Sequence, residues 1–151
     1  MKFQIIKTLG KARLGRLEIA GQVIETPAFM PVGTLGTVRT LEPEEVLSLG
    51  YRLILGNTYH LSLRPGVEVI TQFGGLKNFM RWPGALLTDS GGFQIFSLAK
   101  IRTLDDDGVT FSAAEDGGQV HRLTPERALE IQQALGSDIA MVLDECPPYP
   151  C

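Results

Sequence analysis

The sequence predicts an α/β fold: the first half of a (β/α)8 barrel of the TIM type, preceded by an N-terminal β-rich hairpin. Three runs carry that prediction. Leu53–Gly56, Ala85–Thr88 and Ile139–Leu143 are short, apolar and bounded by turn residues, as parallel strands buried on both faces are. Each runs at once into groups that donate or accept hydrogen bonds: Asn57-Thr58-Tyr59-His60, Asp89-Ser90-Gly91-Gly92 and Asp144-Glu145-Cys146. Parallel α/β folds place their chemistry at the carboxyl ends of strands. Asn57, Asp89 and Asp144 are therefore expected on one rim.

In chain order, Ala12–Ile19 alternates as a strand, Gly21 supports a turn, and Val23–Met30 reads as the returning strand. Pro27 and Pro31 argue against full ladder bonding there. A further barrel strand is expected near Phe29–Val32. A helix begins at Pro43, with Glu44 and Glu45 at its positive end and Gly50 as its stop. A short helix is expected over Val67–Phe73, between Pro65-Gly66 and Gly74-Gly75. Val109–Ala113 and Gln119–Leu123 read as an antiparallel hairpin closed by Glu115-Asp116-Gly117-Gly118. Asp105-Asp106-Asp107-Gly108 lacks the spaced ligands of a calcium loop and reads as a solvated turn. The strongest helix is Pro125–Leu135, with Thr124 as N-cap and Gly136 as terminator. The four barrel strands are half of the eight that close a barrel.

The composition, 44% hydrophobic and 21% charged over 151 residues, suits one packed domain and excludes a disordered chain. No apolar run is long enough to span a bilayer, and Met1-Lys2-Phe3-Gln4 lacks the apolar core of a signal peptide. The expectation is a cytoplasmic protein without a membrane partner. Cys146 and Cys151 are not spaced as Cys-x-x-Cys, so neither a redox pair nor a zinc ribbon is indicated. The net charge of -3 is unusual for a surface that grips RNA throughout. Lys2, Lys7, Lys11, Arg13 and Arg16 cluster early and read as the solvated face of a hairpin.

Leu86-Leu87-Thr88-Asp89-Ser90-Gly91-Gly92-Phe93-Gln94 is the most informative stretch. Its glycines let the backbone turn sharply and let a flat ligand approach the main chain. Taken alone, it also reads as a plain turn, since Asp, Ser and Gly all form turns. Asp144 alone reads equally as a cap at a strand end. Val32 and Leu55 read as plain core. His60 reads as a structural hydrogen-bonding residue.

The segments PAFMPVGTLGTV (27–38), LILGNTYHL (53–61), LLTDSGGFQIFSL (86–98) and LGSDIAMVLDECPPYP (135–150) closely resemble the bacterial tRNA-guanine transglycosylases. The resemblance covers nearly the whole chain. It implies exchange of the wobble guanine of tRNA, of the GUN-anticodon type, for a 7-deazaguanine queuosine precursor through a covalent enzyme–RNA intermediate. The logic is similar to that of retaining glycosidases. By resemblance, Asp89 handles protons on the base and Asp144 reads the Watson–Crick edge of guanine. Ser90, Gly91, Gly92 and Phe93 line the base pocket, with Phe93 stacking on the heterocycle in place of a Tyr found in some members. Asn57 and Gln94 position neighbouring groups, Cys146 contacts the base, and Glu145 has no assigned role.

Family members are more than twice this length. The resemblance places the covalent nucleophile, a further aspartate, beyond residue 151. It places a structural zinc held by three cysteines and a histidine there too, so no metal ligand is expected here. A homodimer is implied for the full-length form, and the resemblance gives His60 a second reading as a contact to the partner subunit. Residues 1–151 are expected to be the N-terminal, truncated portion of the catalytic domain, inactive alone and self-associating through an open strand edge. Two readings stay open: an incomplete copy of the enzyme, or a non-catalytic product or binding subunit that keeps only the base pocket.

Overall fold

The computed structural model describes residues 1–98 and 101–147, apart from the side chains of Ile101 and Glu115. The architecture is α/β, with one parallel and two antiparallel sheets. The first sheet joins β1 (Lys2–Leu9), β2 (Ala12–Ile19) and β3 (Gln22–Thr26) in that order, all antiparallel. The basic cluster lies along the exposed β1–β2 ribbon, where Arg16 pairs with Glu18 at 3.3 Å. The returning strand expected over Val23–Met30 is shorter and stops at Thr26, because Pro27 has no N–H to add to the ladder.

The parallel sheet has the order β10-β6-β5-β4, from β4 (Val32–Gly33), β5 (Leu53–Gly56), β6 (Ala85–Thr88) and β10 (Ile139–Ala140). These four strands form an open sheet. The register pairs Leu53 with Ala85, Gly56 with Thr88, Ile139 with Leu87 and Val32 with Leu55. The strand expected near Phe29–Val32 begins only at Val32, since Pro31 offers the sheet a carbonyl alone, bonded by the Leu55 N–H at 2.9 Å. Val32 itself is 46% exposed, so its expected core role is wrong.

Strand alternation divides the core in two. Leu53, Ala85 and Leu87 face one way, against Ile19 and Ile24 of the antiparallel ribbon. Leu55 joins that side as a half-buried neighbour. Ile54 and Leu86, both fully buried, face the helices. Such burial is worth about 1.5–3 kcal/mol per side chain. The helices opposite are α1 (Pro43–Ser48), α2 (Thr58–Leu61), α3 (Val67–Gln72), α4 (Leu76–Met80), α5 (Gly92–Leu98) and α6 (Pro125–Leu135). Thr124 Oγ1 caps α6 by accepting from Arg127 N at 3.1 Å, and Gly136, at φ +75°, ends it. The Glu45 carboxylate accepts from Glu42 N at 2.8 Å at the start of α1.

Between α5 and α6 lies a third sheet of β7 (Ile101–Asp105), β8 (Gly108–Ser112) and β9 (Val120–Leu123). The expected hairpin is its β8–β9 half, and β7 is the addition. The Asp105–Gly108 stretch is a tight turn, in which Asp105 Oδ1 accepts from Asp107 N at 3.0 Å. Arg122 reaches across from β9 to chelate Asp105 at 2.6 and 2.8 Å. This ion pair holds the Asp105 carboxyl down at about 2.

Candidate functional site

The carboxyl ends of β5, β6 and β10 bring the expected rim residues together. Asp89 follows the last residue of β6 and is fixed from β5. Its N–H donates to Gly56 O at 3.2 Å. Its Oδ1 accepts from Thr58 N at 2.7 Å and its Oδ2 from Asn57 Nδ2 at 2.5 Å. Thr58 Oγ1 returns a bond to Asp89 O at 2.6 Å. Thr58 opens α2, and a helix's first N–H groups have no partner within the helix. The Asp89 carboxylate therefore satisfies a donor that would otherwise be orphaned.

Burial raises the Asp89 carboxyl above the ordinary carboxylate value. The Thr58 N–H, the Asn57 amide, nearby His60 and the Gly91 N–H oppose that rise without cancelling it. A fixed carboxylate with a raised proton affinity suits proton transfer.

Ser90 links this group to β10. Its hydroxyl donates to Asp144 Oδ1 at 2.5 Å and accepts from Gly92 N at 3.2 Å. Ser90 is buried, whereas Asp144 is exposed. The glycines make this approach possible. A Cβ on Gly92 would lie 2.4 Å from Asp144 O and 3.1 Å from its Oδ1. Gly91 sits at φ +84°, with Tyr59 N 3.3 Å from where its Cβ would be. The plain-turn reading of this stretch accounts for the glycine conformation but not for the side-chain bonds of Asp89 with Asn57 and Thr58 or of Ser90 with Asp144.

A pocket of about 370 Å³ opens on the Asp144 side, lined by Gly92, Phe96, Arg102, Leu143, Asp144 and Cys146 among others. That is large enough for a single heterocyclic base. The Cys146 thiol is free and half-buried. Asp89 does not line this pocket; it lies behind Ser90. Phe93, in the first turn of α5, is 58% exposed and also outside the lining. Gln94 Oε1 is buried with no hydrogen-bond partner among the described residues. His60 stands edge-on to Tyr59 at 5.2 Å between ring centroids, and Glu145 lines the pocket mouth.

Two participants escaped sequence reasoning. Thr58 gives Asp89 two bonds, and its signal was a hydroxyl residue directly after a strand end. Arg102 packs over the Phe96 ring at 4.2 Å and walls the pocket; it sits on the unexpected β7.

Among the described residues no group of three or more His, Cys, Asp or Glu is placed to hold a metal. His121 is bonded to Asp116, and Cys146 lines the pocket. The expected idle thiol, Cys151, lies outside the described residues. No helix among the described residues is long and apolar enough to cross a membrane.

Comparison with known proteins gives one consistent result. The family described as Queuine tRNA-ribosyltransferase matches residues 8–151. A queuine tRNA-ribosyltransferase of Desulforudis audaxviator is 59% identical over 151 residues, covering 99% of this chain and 40% of that protein. One from Pseudomonas aeruginosa is 54% identical over 150 residues, with 99% and 40% covered. One from Symbiobacterium thermophilum is 59% identical over 140 residues, with 93% and 35% covered. The chain thus spans about 40% of the length of curated relatives it matches.

Proposed function

The chain belongs to the queuine tRNA-ribosyltransferase family, and we propose that its Asp89–Ser90–Asp144 rim holds a guanine-type base of tRNA. The observation that carries this reading is the Ser90 hydroxyl bonded to Asp144 beside the pocket. That bond occupies one carboxylate oxygen and orients the group. An oriented carboxylate accepts two N–H bonds from the edge of guanine and leaves adenine with an unfavourable contact. Gly92 lines the pocket and lets Asp144 close up against it. Phe93 is free to stack on a base drawn from its helix. Asp89 accepts and returns the proton that moves as bases exchange, held for that task by Asn57 and Thr58. Cys146 completes the lining, and Gln94 positions neighbouring groups.

In the complete protein we propose exchange of the wobble guanine of a GUN-type tRNA for a 7-deazaguanine, by way of a covalent enzyme–RNA intermediate. The parallel sheet then forms half of a (β/α)8 barrel, and zinc, the homodimer and a cytoplasmic setting belong to that complete protein. Relatives extend far beyond the matched region. These 151 residues are accordingly read as the base-holding half, which binds a base without completing exchange. Covalent attack on the ribose needs a group supplied elsewhere.

Calorimetry with free guanine tests the base-holding role. Asp144→Ala should weaken guanine binding by about a hundredfold, the scale of a lost charge-assisted pair. Unchanged affinity would place the base elsewhere.

A further inference from the structure

Gln132, on α6, is the most completely satisfied buried polar side chain near the rim, and it touches nothing proposed to contact the base. It is 0% exposed. Its Oε1 accepts from Thr88 Oγ1 at 2.8 Å and from Met141 N at 2.9 Å. Its Nε2 donates to Met141 O at 2.9 Å and to Ala128 O at 3.2 Å. Both acceptor positions and both donors of the amide are thus in use. Toward Met141 it offers one acceptor and one donor, as a neighbouring strand would.

That imitation falls where β10 leaves the sheet. The strand was expected to run to Leu143 and ends at Ala140. Met141 N also reaches Thr88 O at 3.1 Å. Beyond Met141 the chain has no regular structure through Pro147, yet it delivers Asp144 to Ser90. Thr88, the last residue of β6, donates to Gln132 and meets Ser137 Oγ at 2.6 Å. One amide therefore ties the end of β6 to the departure point of the segment that carries Asp144.

We propose that Gln132 is a positioning residue for base recognition: it pins Met141 and so sets where Asp144 stands relative to Ser90 and the pocket. The inference rests on the base-holding role given to Asp144. A helix side chain is suited to this because α6 is anchored independently, by its Thr124 cap and by Ile131 and Leu135 in the core. The rim position of Asp144 then depends on the rigid helix layer instead of on an irregular loop.

Two readouts on the complete protein test it. In Gln132→Met, which keeps the shape and removes all four bonds, amide hydrogen exchange across Met141–Asp144 should speed up by about tenfold or more. The KM for guanine should rise by about tenfold, with kcat within about threefold. Gln132→Glu, which keeps the acceptors and loses the donors, should move both readouts the same way and serves if the Met variant fails to fold. Gln133→Met, on the exposed face of α6, is the control and should leave both unchanged. Unaltered protection at Met141–Asp144 would overturn the proposal. So would an unchanged KM with activity reduced only in proportion to folded protein. A wild-type protein that binds no guanine would instead overturn the role of Asp144, while the exchange data would still report on the anchor.

Discussion

Ser90 Oγ lies 2.5 Å from Asp144 Oδ1, a bond across 54 residues of sequence that joins the segments following two neighbouring parallel strands. Ser90 follows Asp89 directly, so one backbone step and one hydrogen bond separate the group placed to move protons from Asp144, the group placed to read the base. A site assembled this way fixes recognition and proton transfer in a single frame.

Removal of the bond alone should therefore damage recognition more than chemistry. Ser90→Ala is expected to weaken guanine affinity by about tenfold, less than Asp144→Ala, because the carboxylate survives but is free to turn. Calorimetry of the two variants side by side checks the order. Equal losses would mean that Ser90 contacts the base itself.

The close approach at Gly92 makes a steric prediction. A methyl group there meets the Asp144 carbonyl oxygen at 2.4 Å, which is backbone and cannot swing aside. Gly92→Ala should push the 144–146 segment outward and reduce guanine binding by about a hundredfold, with the parallel sheet intact. Circular dichroism and calorimetry together test it; full affinity in Gly92→Ala would show that the segment is compliant.

Asp89 carries a signed pH dependence. Its folded carboxyl holds the proton more tightly than the unfolded chain does, chiefly because it is buried. Its contribution to stability is full below the ordinary carboxylate value of about 4 and is lost as pH rises through the raised folded value. Asp89→Asn removes that loss. The amide can still accept from Thr58 N and, once the Asn57 amide turns over, donate to it. Urea unfolding should show the variant gaining on wild type as pH goes from 4 to 8. The opposite trend would mean that the donors around Asp89 outweigh its burial.

The sequence made the rim legible because its signals are local. Apolar runs mark β5 and β6, and the polar groups that follow them must emerge at the same sheet edge. Thr124, Pro125 and Gly136 mark α6 as clearly. What stayed hidden depends on partners distant in sequence. Ile139–Leu143 is apolar throughout, yet β10 ends at Ala140, and Gln132 takes up the backbone of Met141 there. β7 was missed because its sequence, Ile-Arg-Thr-Leu-Asp, has only two apolar residues and leans on β8 for its bonds. The exposed setting of Phe93 was not legible either, since the turn at Gly91 determines which way α5 faces.

The central claim is that Asp89 supplies proton transfer for base exchange at this rim, and exchange of labelled guanine into tRNA by the complete protein measures it most directly. Asp89→Asn keeps the size of the side chain and, once the Asn57 amide turns over, its partners, but cannot take up a proton. The account predicts a fall in exchange of about a hundredfold to ten-thousandfold, the range of a lost general base, with guanine binding retained within about threefold. Exchange near the wild-type rate in Asp89→Asn would contradict it.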